Sequence, residues 1–400
     1  MGLIIWSLSG CSPSYVLDDG RQIAELNVTS VTSTPASTLA ATAVNELTVQ
    51  ATQPPSPTST PLPATVIQQP ATTTPFPTVT PTATPTTKPS PTTELDRSCP
   101  EIPPLKPEYD RYFLSRDQWP TPDTAVAEPH FWLSKPLPGA GRTLINQRFP
   151  YGWDENGRLL LHNGVDIAED MGTPVLAVAD GTVIVAQSDL NAWYGWRCDW
   201  YGHLVVLELD EMWQDQPIFA LYGHVLNLKV EAGQTVSRGE PLAEVGLGGA
   251  ATNPHLHFEL RVGENQFDST RNPMLWLEPG LTRGVIVGRL VDPEGRPWQG
   301  VPLALVSLNG DNDKYSTWSY LGDPQDLSNP DEGWAENFVF SDVKPGEYDL
   351  YTRLQGFDYR QSLVVAAGQI TEIEIETEPL KEPATETPVA DESEQTGEGG

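Results

Sequence analysis

Between about Thr29 and Thr93 the sequence is built from threonine, proline, serine and alanine with almost no charge, as in TPFPTVTPTATPTTKPSPTT. Such a stretch carries too little apolar surface to offset the entropy of ordering a chain, so it cannot contribute to a core. Closely spaced proline favours extended polyproline II at about 3.1 Å per residue, and some 40 residues of it would reach on the order of 100 Å. Residues 29–97 therefore read as a disordered stalk, and Ser/Thr-Pro tracts of this kind also suit O-glycosylation. The length of 400 residues overstates the folded part, which is expected to comprise two modest domains.

Charge narrows the partners. With 23 Lys+Arg against 54 Asp+Glu the net charge is -31, which repels phosphate backbones and anionic membrane surfaces, so nucleic acid is excluded as an expected partner. Residues 378–400 are rich in Glu, Thr and Pro, lack aromatics and are expected to form a disordered acidic tail. Near the other end, the apolar run Leu3-Ile4-Ile5-Trp6 followed by Leu8-Ser9-Gly10-Cys11 resembles a bacterial lipoprotein signal, in which the cysteine becomes the lipid-modified first residue. That resemblance assigns residues 1–28 to a signal and mature N-terminus, and implies attachment to a membrane through a lipid anchor at Cys11. With Cys11 so used, Cys99 and Cys198 remain as an even pair, and in an exported protein they are expected to form a disulfide.

Aromatics and alternating apolar residues return after Cys99. Short runs such as PVLAVA, TVIVAQ, HLVVLEL and IFALYGH have strand periodicity and β-branched content, and Gly and Pro punctuate them. Residues 98–280 are thus expected to form a mainly β domain. Residues 283–377 alternate strand runs with turns at Asp292-Pro293-Glu294-Gly295 and Lys344-Pro345-Gly346-Glu347, the pattern of a small β-sandwich. It resembles the carboxypeptidase-regulatory-like, transthyretin-type sandwiches that accompany secreted enzymes. Asp311 and Asp313 lack the spacing of a calcium loop and read as solvated.

Histidine is scarce, with 6 in the chain, yet His162, His224, His255 and His257 all fall in the middle domain. In His162-Asn163-Gly164-Val165-Asp166, residues i and i+4 of an extended strand share one face, and Gly164 between them leaves room for an ion. In His255-Leu256-His257 the two imidazoles, at i and i+2, also share a face. Zinc prefers nitrogen and carboxylate oxygen, and hydrolytic sites use three protein ligands with one open position.

In combination these motifs resemble the M23, or lysostaphin/LytM-like, metallopeptidases. The resemblance spans about Leu144 to Val262. HNGVDIAEDMGTPVLAVADGTVIVA carries the His-x-Gly-x-Asp, Gly-Thr-Pro-Val and Asp-Gly-x-Val pattern. LYGHVLNLKVEAGQTVSRGEPLAEVGLGGAATNPHLHFELRV carries the Tyr-x-His strand, the Gly-Gln-x-Val turn and the Pro-His-Leu-His-Phe-Glu signature. It implies an antiparallel β-sheet peptidase domain with Zn2+ held by His162, Asp166 and His257. His224 and His255 would then be the catalytic pair flanking the attacking water, one as proton acceptor and one at the oxyanion, with the two roles open. The implied substrate is bacterial peptidoglycan, cut in its stem peptides or cross-bridges outside the cytoplasm. The alternative is a non-catalytic peptidoglycan-binding or hydrolase-activating protein of the same fold.

His130 and His203 fall outside the motifs and read as packing and surface residues. Two insertions, around NAWYGWRCDW and LDEMWQDQPIF, bring Trp193, Trp196, Trp200 and Trp213 to where the family commonly has a short hairpin. Aromatic loops there could line a substrate groove or simply fill an enlarged loop.

Overall fold

Runs of alternating β-branched and aromatic residues, cut by Gly, Pro and Asx turns, set this chain up for strands. The computed structural model describes residues 96–100, 113–115, 119–139, 149–280, 282–322 and 328–380; Cys11, the stalk before Asp96 and the acidic tail after Leu380 lie outside them. Among the described residues the protein is mainly β, without an α-helix. A single 3-10 turn, Pro273–Leu275, is capped by the Asn272 side chain, which accepts from the Met274 N–H.

In chain order the strands begin with β1 (Phe113–Leu114), β2 (Val165–Ile167), β3 (Pro174–Leu176), β4 (Gly181–Ser188), β5 (His203–Trp213) and β6 (Gln216–Leu226). They continue with β7 (Thr235–Val236), β8 (Pro241–Val245), β9 (Leu256–Val262) and β10 (Thr270–Arg271). The strands from β2 to β10 form a 9-stranded sheet in the order β10-β9-β6-β5-β4-β7, with β2 also on β9, β8 on β6 and β3 on β8. All its pairings are antiparallel.

Burial along β4 alternates, as its sequence leads one to expect, and Val183, Val205, Tyr222, Phe258 and Leu260 carry 0% exposure in the main core. Each such side chain contributes about 1.5–3 kcal/mol by leaving water. The run PVLAVA is strand only over Pro174–Leu176, because Ala177 then turns to donate to the Glu240 carbonyl and accept from Gly239. β5 and β6 form one long hairpin turned by Gln214 and Asp215, both at positive φ (49° and 62°), as a two-residue I′ connection requires. The insertion around LDEMWQDQPIF is therefore the tip of that hairpin, with Trp213 buried in the core.

The remaining strands are β11 (Gly284–Val291), β12 (Trp298–Gln299), β13 (Pro302–Ser307), β14 (Lys314–Trp318), β15 (Phe338–Val343), β16 (Gly346–Leu354), β17 (Phe357–Val365) and β18 (Ile370–Glu376). Seven of them make a 3-stranded sheet, β15-β11-β18, and a 4-stranded sheet, β14-β13-β16-β17, while β12 pairs antiparallel with β1. β11 and β18 run parallel, a departure from the otherwise antiparallel pattern. Ile286, Leu290 and Ile373 of one sheet meet Leu303, Leu305, Tyr348 and Leu350 of the other in one apolar cluster. Gly288 is there because a Cβ would stand 1.9 Å from the Phe338 ring.

The other face of β11 joins the main core: Val285, Val287 and Trp334 pack in one cluster with Trp276, Leu277 and Trp213. Polar contacts reinforce the junction, since Glu332 accepts from Trp213 Nε1 at 2.8 Å and from Arg271. His130 is buried there among Trp132, Trp213, Trp276 and Trp334, whereas His203 is exposed at the start of β5.

Candidate metal centre

The sheet registers bring the chemistry together. On β9, His257 faces Asp166 of β2 on one side and Gly223 of β6 on the other, so the strand that carries one histidine is flanked by the strands that deliver the rest. His162 arrives just ahead of β2, not on it. Its backbone bonds the segment at Gly152 and Trp153, and the Phe149 ring stacks on the imidazole at 4.1 Å. Gly164 gives room to protein rather than to an ion: a Cβ there would lie 2.6 Å from the Phe258 carbonyl, 2.8 Å from His257 Nε2 and 2.9 Å from Glu259 Cγ.

His224 has φ 59°, a left-handed conformation that is rare for a non-glycine residue, and it sits where the β5–β6 register shifts between His203 and Val205. A bulge of this kind turns a side chain out of strand alternation. Here the His224 N–H leaves the ladder and donates to the Tyr201 carbonyl at 2.9 Å.

Each imidazole has one nitrogen committed to an acceptor, and this assigns the other. His162 Nδ1–H donates to the Phe149 carbonyl (2.7 Å), His224 Nδ1–H to Gly248 (2.8 Å) and His255 Nδ1–H to Asn253 (2.8 Å). His257 uses Nε2–H towards Glu259 Oε1 at 2.9 Å. The atoms left to converge are Nε2 of His162 and Nδ1 of His257 beside Asp166 Oδ1, separated by 3.1, 3.3 and 3.0 Å. Donors about 2.0–2.1 Å from a tetrahedral ion stand about 3.3 Å apart, so this trio fits zinc by spacing as well as by donor type. These same three residues form the one His/Cys/Asp/Glu group of metal-binding geometry among the described residues. His255 Nε2 lies 3.4 Å from Asp166 Oδ1, and the His224 and His255 rings are 4.8 Å apart.

Electrostatics follow from that crowding. Burial opposes a charge on Asp166, but His162 and hydrogen bonds from His162, His255 and His257 hold its carboxyl well below the usual range. His257 is also penalised by burial, yet Asp166 and Glu259 raise it to about 9 in the metal-free protein. His224 goes the other way. Burial and the neighbouring His257 and His255 depress it to about 3, so it is neutral at physiological pH. A shallow depression of about 330 Å³, lined by Ala168, Glu169, Asp170 and Pro254, lies next in sequence to Asp166 and His255.

The tryptophan-rich loop is mostly filler. Tyr194 and Tyr201 are buried in a cluster with Val206 and Leu221 against which Trp200 packs, and Trp196 packs near Phe267, while Trp193 stays 38% exposed. Asp189 organises the loop by accepting from the N–H groups of Trp200 and Tyr201. A disulfide joins Cys99 to Cys198 and ties the lead-in segment to it. Arg97 adds a bond to the Asn265 carbonyl and lies 4.5 Å over the Tyr194 ring. Nothing in the sequence marks the carbonyls of Phe149, Gly248 and Asn253, or Tyr201 and Arg261, because their partners are distant in sequence or are backbone atoms with no side-chain signature.

Residues 160–269 match Peptidase family M23. Peptidoglycan DD-endopeptidase ShyB of Vibrio cholerae is 34% identical over 115 residues, 29% of this chain and 24% of that protein. Murein hydrolase activator EnvC of Escherichia coli is 34% identical over 130 residues, 32% of this chain and 26% of that protein. The chain thus spans about a quarter of the length of either relative. Among solved structures, the catalytic domain of lysostaphin from Staphylococcus simulans aligns with 28% identity over 31% of this chain and 84% of that one, at a TM-score of 0.25. Residues 160–269 accordingly form a peptidase family M23 domain.

Proposed function

We propose that the protein is a zinc-dependent endopeptidase that hydrolyses peptide bonds in the stem peptides or cross-bridges of peptidoglycan. The observation that carries this reading is the convergence of His162 Nε2, Asp166 Oδ1 and His257 Nδ1 at 3.0 to 3.3 Å, with the other ring nitrogen of each histidine facing an acceptor of its own. Zinc bound there would act as a Lewis acid, polarising the scissile carbonyl and lowering the pKa of water towards about 7. His224, held neutral with Nδ1–H on Gly248, presents a lone pair at Nε2 and suits the proton acceptor. His255, whose Nδ1–H is committed to the Asn253 carbonyl, would donate to the developing oxyanion from Nε2 only when that nitrogen, near Asp166, also carries a proton.

The setting follows from the rest of the chain. Cys11 would carry the lipid anchor, the 29–97 stalk would give reach across the cell envelope, and residues 283–377 would act as a carboxypeptidase-regulatory-like module that holds or orients the 98–280 peptidase domain. The substrate is taken from what the relative ShyB is named for. A second reading, a non-catalytic activator of other hydrolases, has the similarity to EnvC in its favour. Metal analysis with activity assays separates the two. His257→Ala should lose both zinc and wall-lytic activity, and His255→Ala should keep zinc while losing activity. Full lysis by both variants would end the enzymatic assignment. For the anchor, metabolic lipid labelling should mark the wild type and not Cys11→Ala, and equal membrane partitioning of the two would remove the anchor from the account.

A further inference from the structure

Residues 257, 259 and 261 share one face of β9, since side chains alternate along a strand, and His255 stands just ahead of it. Past the two histidines the row continues with a buried carboxylate and a buried guanidinium, Glu259 and Arg261, both 0% exposed. Glu259 Oε1 accepts from His257 Nε2–H at 2.9 Å and from the Tyr201 hydroxyl. Its Oε2 accepts from Arg261 Nε at 2.9 Å and Nη2 at 2.7 Å. Arg261 is in turn saturated by the Asn265 side chain, the Tyr194 carbonyl and the Tyr201 oxygen, each at 3.0 Å. Stability does not account for such a pair. A buried ion pair exchanged for apolar residues of similar volume is often neutral or stabilising, because desolvation cancels the attraction. What an apolar pair would lose is the acceptor on His257. The same contact explains the glycine of the first motif, for a Cβ on Gly164 would intrude on both His257 Nε2 and Glu259 Cγ.

We propose that Glu259 is a positioning residue for the metal centre: clamped by Arg261 and Tyr201, it accepts a hydrogen bond from His257 Nε2–H and so orients that ring with Nδ1 beside His162 Nε2 and Asp166 Oδ1. Tyr201 belongs to the loop fastened by Cys99–Cys198, so the loop's contribution is to fix this carboxylate from outside the sheet. The inference rests on the zinc reading above. A carboxylate placed this way typically accounts for about 10–100-fold in metal affinity.

The test is zinc affinity, measured by competition with a chromogenic chelator on wild type, Tyr201→Phe and the charge-neutral double variant Glu259→Gln/Arg261→Met, with melting of each metal-free form as the fold control. The double variant should melt as a folded protein and bind zinc about 10–100-fold more weakly, and Tyr201→Phe should lose a few-fold. Nitrogen-15 NMR of the zinc-loaded wild type should show His257 protonated at Nε2, a reading that does not depend on any variant folding. Wild-type affinity in a folded double variant, or a His257 ring protonated at Nδ1 instead, overturns the proposal. Failure of the wild type itself to bind zinc would instead overturn the reading beneath it.

Discussion

Both halves of the described structure bury charge, but they finish it differently. In the β11–β18 region the buried acids Asp349 and Asp292 are closed by donors close at hand. Asp349 on β16 takes Arg360 at 2.6 Å, Ser362 at 2.6 Å and Tyr351 at 3.1 Å, and Asp292 takes the Arg296 guanidinium and backbone within a single turn. In the nine-stranded sheet Asp166 keeps 18% of its side chain exposed, with one nitrogen from each of three imidazoles within 3.4 Å of its Oδ1. The lesson is that burial of charge does not make a site. A surplus of ligand atoms, held by partners behind them and left open in front, does.

The contrast can be broken most strongly at the ligands. Asp166→Ala should abolish metal binding while leaving the fold, whereas Asp349→Ala should leave zinc content unchanged, both read by metal analysis of purified protein. Next in size is the disulfide, which closes a loop of 99 residues in sequence. The Cys99→Ser/Cys198→Ser variant should lose about 2–5 kcal/mol in denaturant melts and, through Tyr201, some metal affinity. Unchanged stability would show that the loop is held without it. Asp349→Ala, with Arg360 left half exposed to recover water, should cost about 2 kcal/mol, and a neutral result would mean the closed pair contributes nothing.

The smallest effect is the pH dependence of the metal-free protein. His257 is raised to about 9 from a usual 6.5, and Glu336, buried beside Asp331, is raised to about 8 from 4.5. Their contributions to stability are complete below the unfolded values and are lost as pH rises, from 4.5 to about 8 for Glu336 and from 6.5 to about 9 for His257. His224, depressed to about 3, acts at the opposite end and loses its contribution as pH falls from 6.5 towards 3. Because zinc must displace the His257 proton, metal affinity should climb with pH until about 9. A flat melting temperature between pH 6.5 and 9 without metal would contradict the charge state assigned to His257.

Much of the site was legible because its side chains are rare and clustered: His162, Asp166, His255 and His257 lie in two short motifs, and zinc chemistry names what such a set can do. The strands were legible from alternation, most clearly in β4. What escaped needs three dimensions. His162 lies before its strand because Trp153 and Gly152 pair with it, the bulge at His224 depends on register with β5, and Gly164 answers to Glu259 across the β2–β9 pair. The aromatic loop could serve a groove or a core by composition alone. Its burial around Tyr201 assigns most of it to packing, leaving Trp193 at the surface.

The central claim is most directly tested by incubating purified peptidoglycan with the zinc-loaded protein and with His257→Ala, and identifying the released muropeptides by mass spectrometry. The account predicts fragments with newly formed peptide amino and carboxyl ends from the wild type and none from the variant. Cross-links left intact by the wild type, or equal release by both proteins, would contradict it.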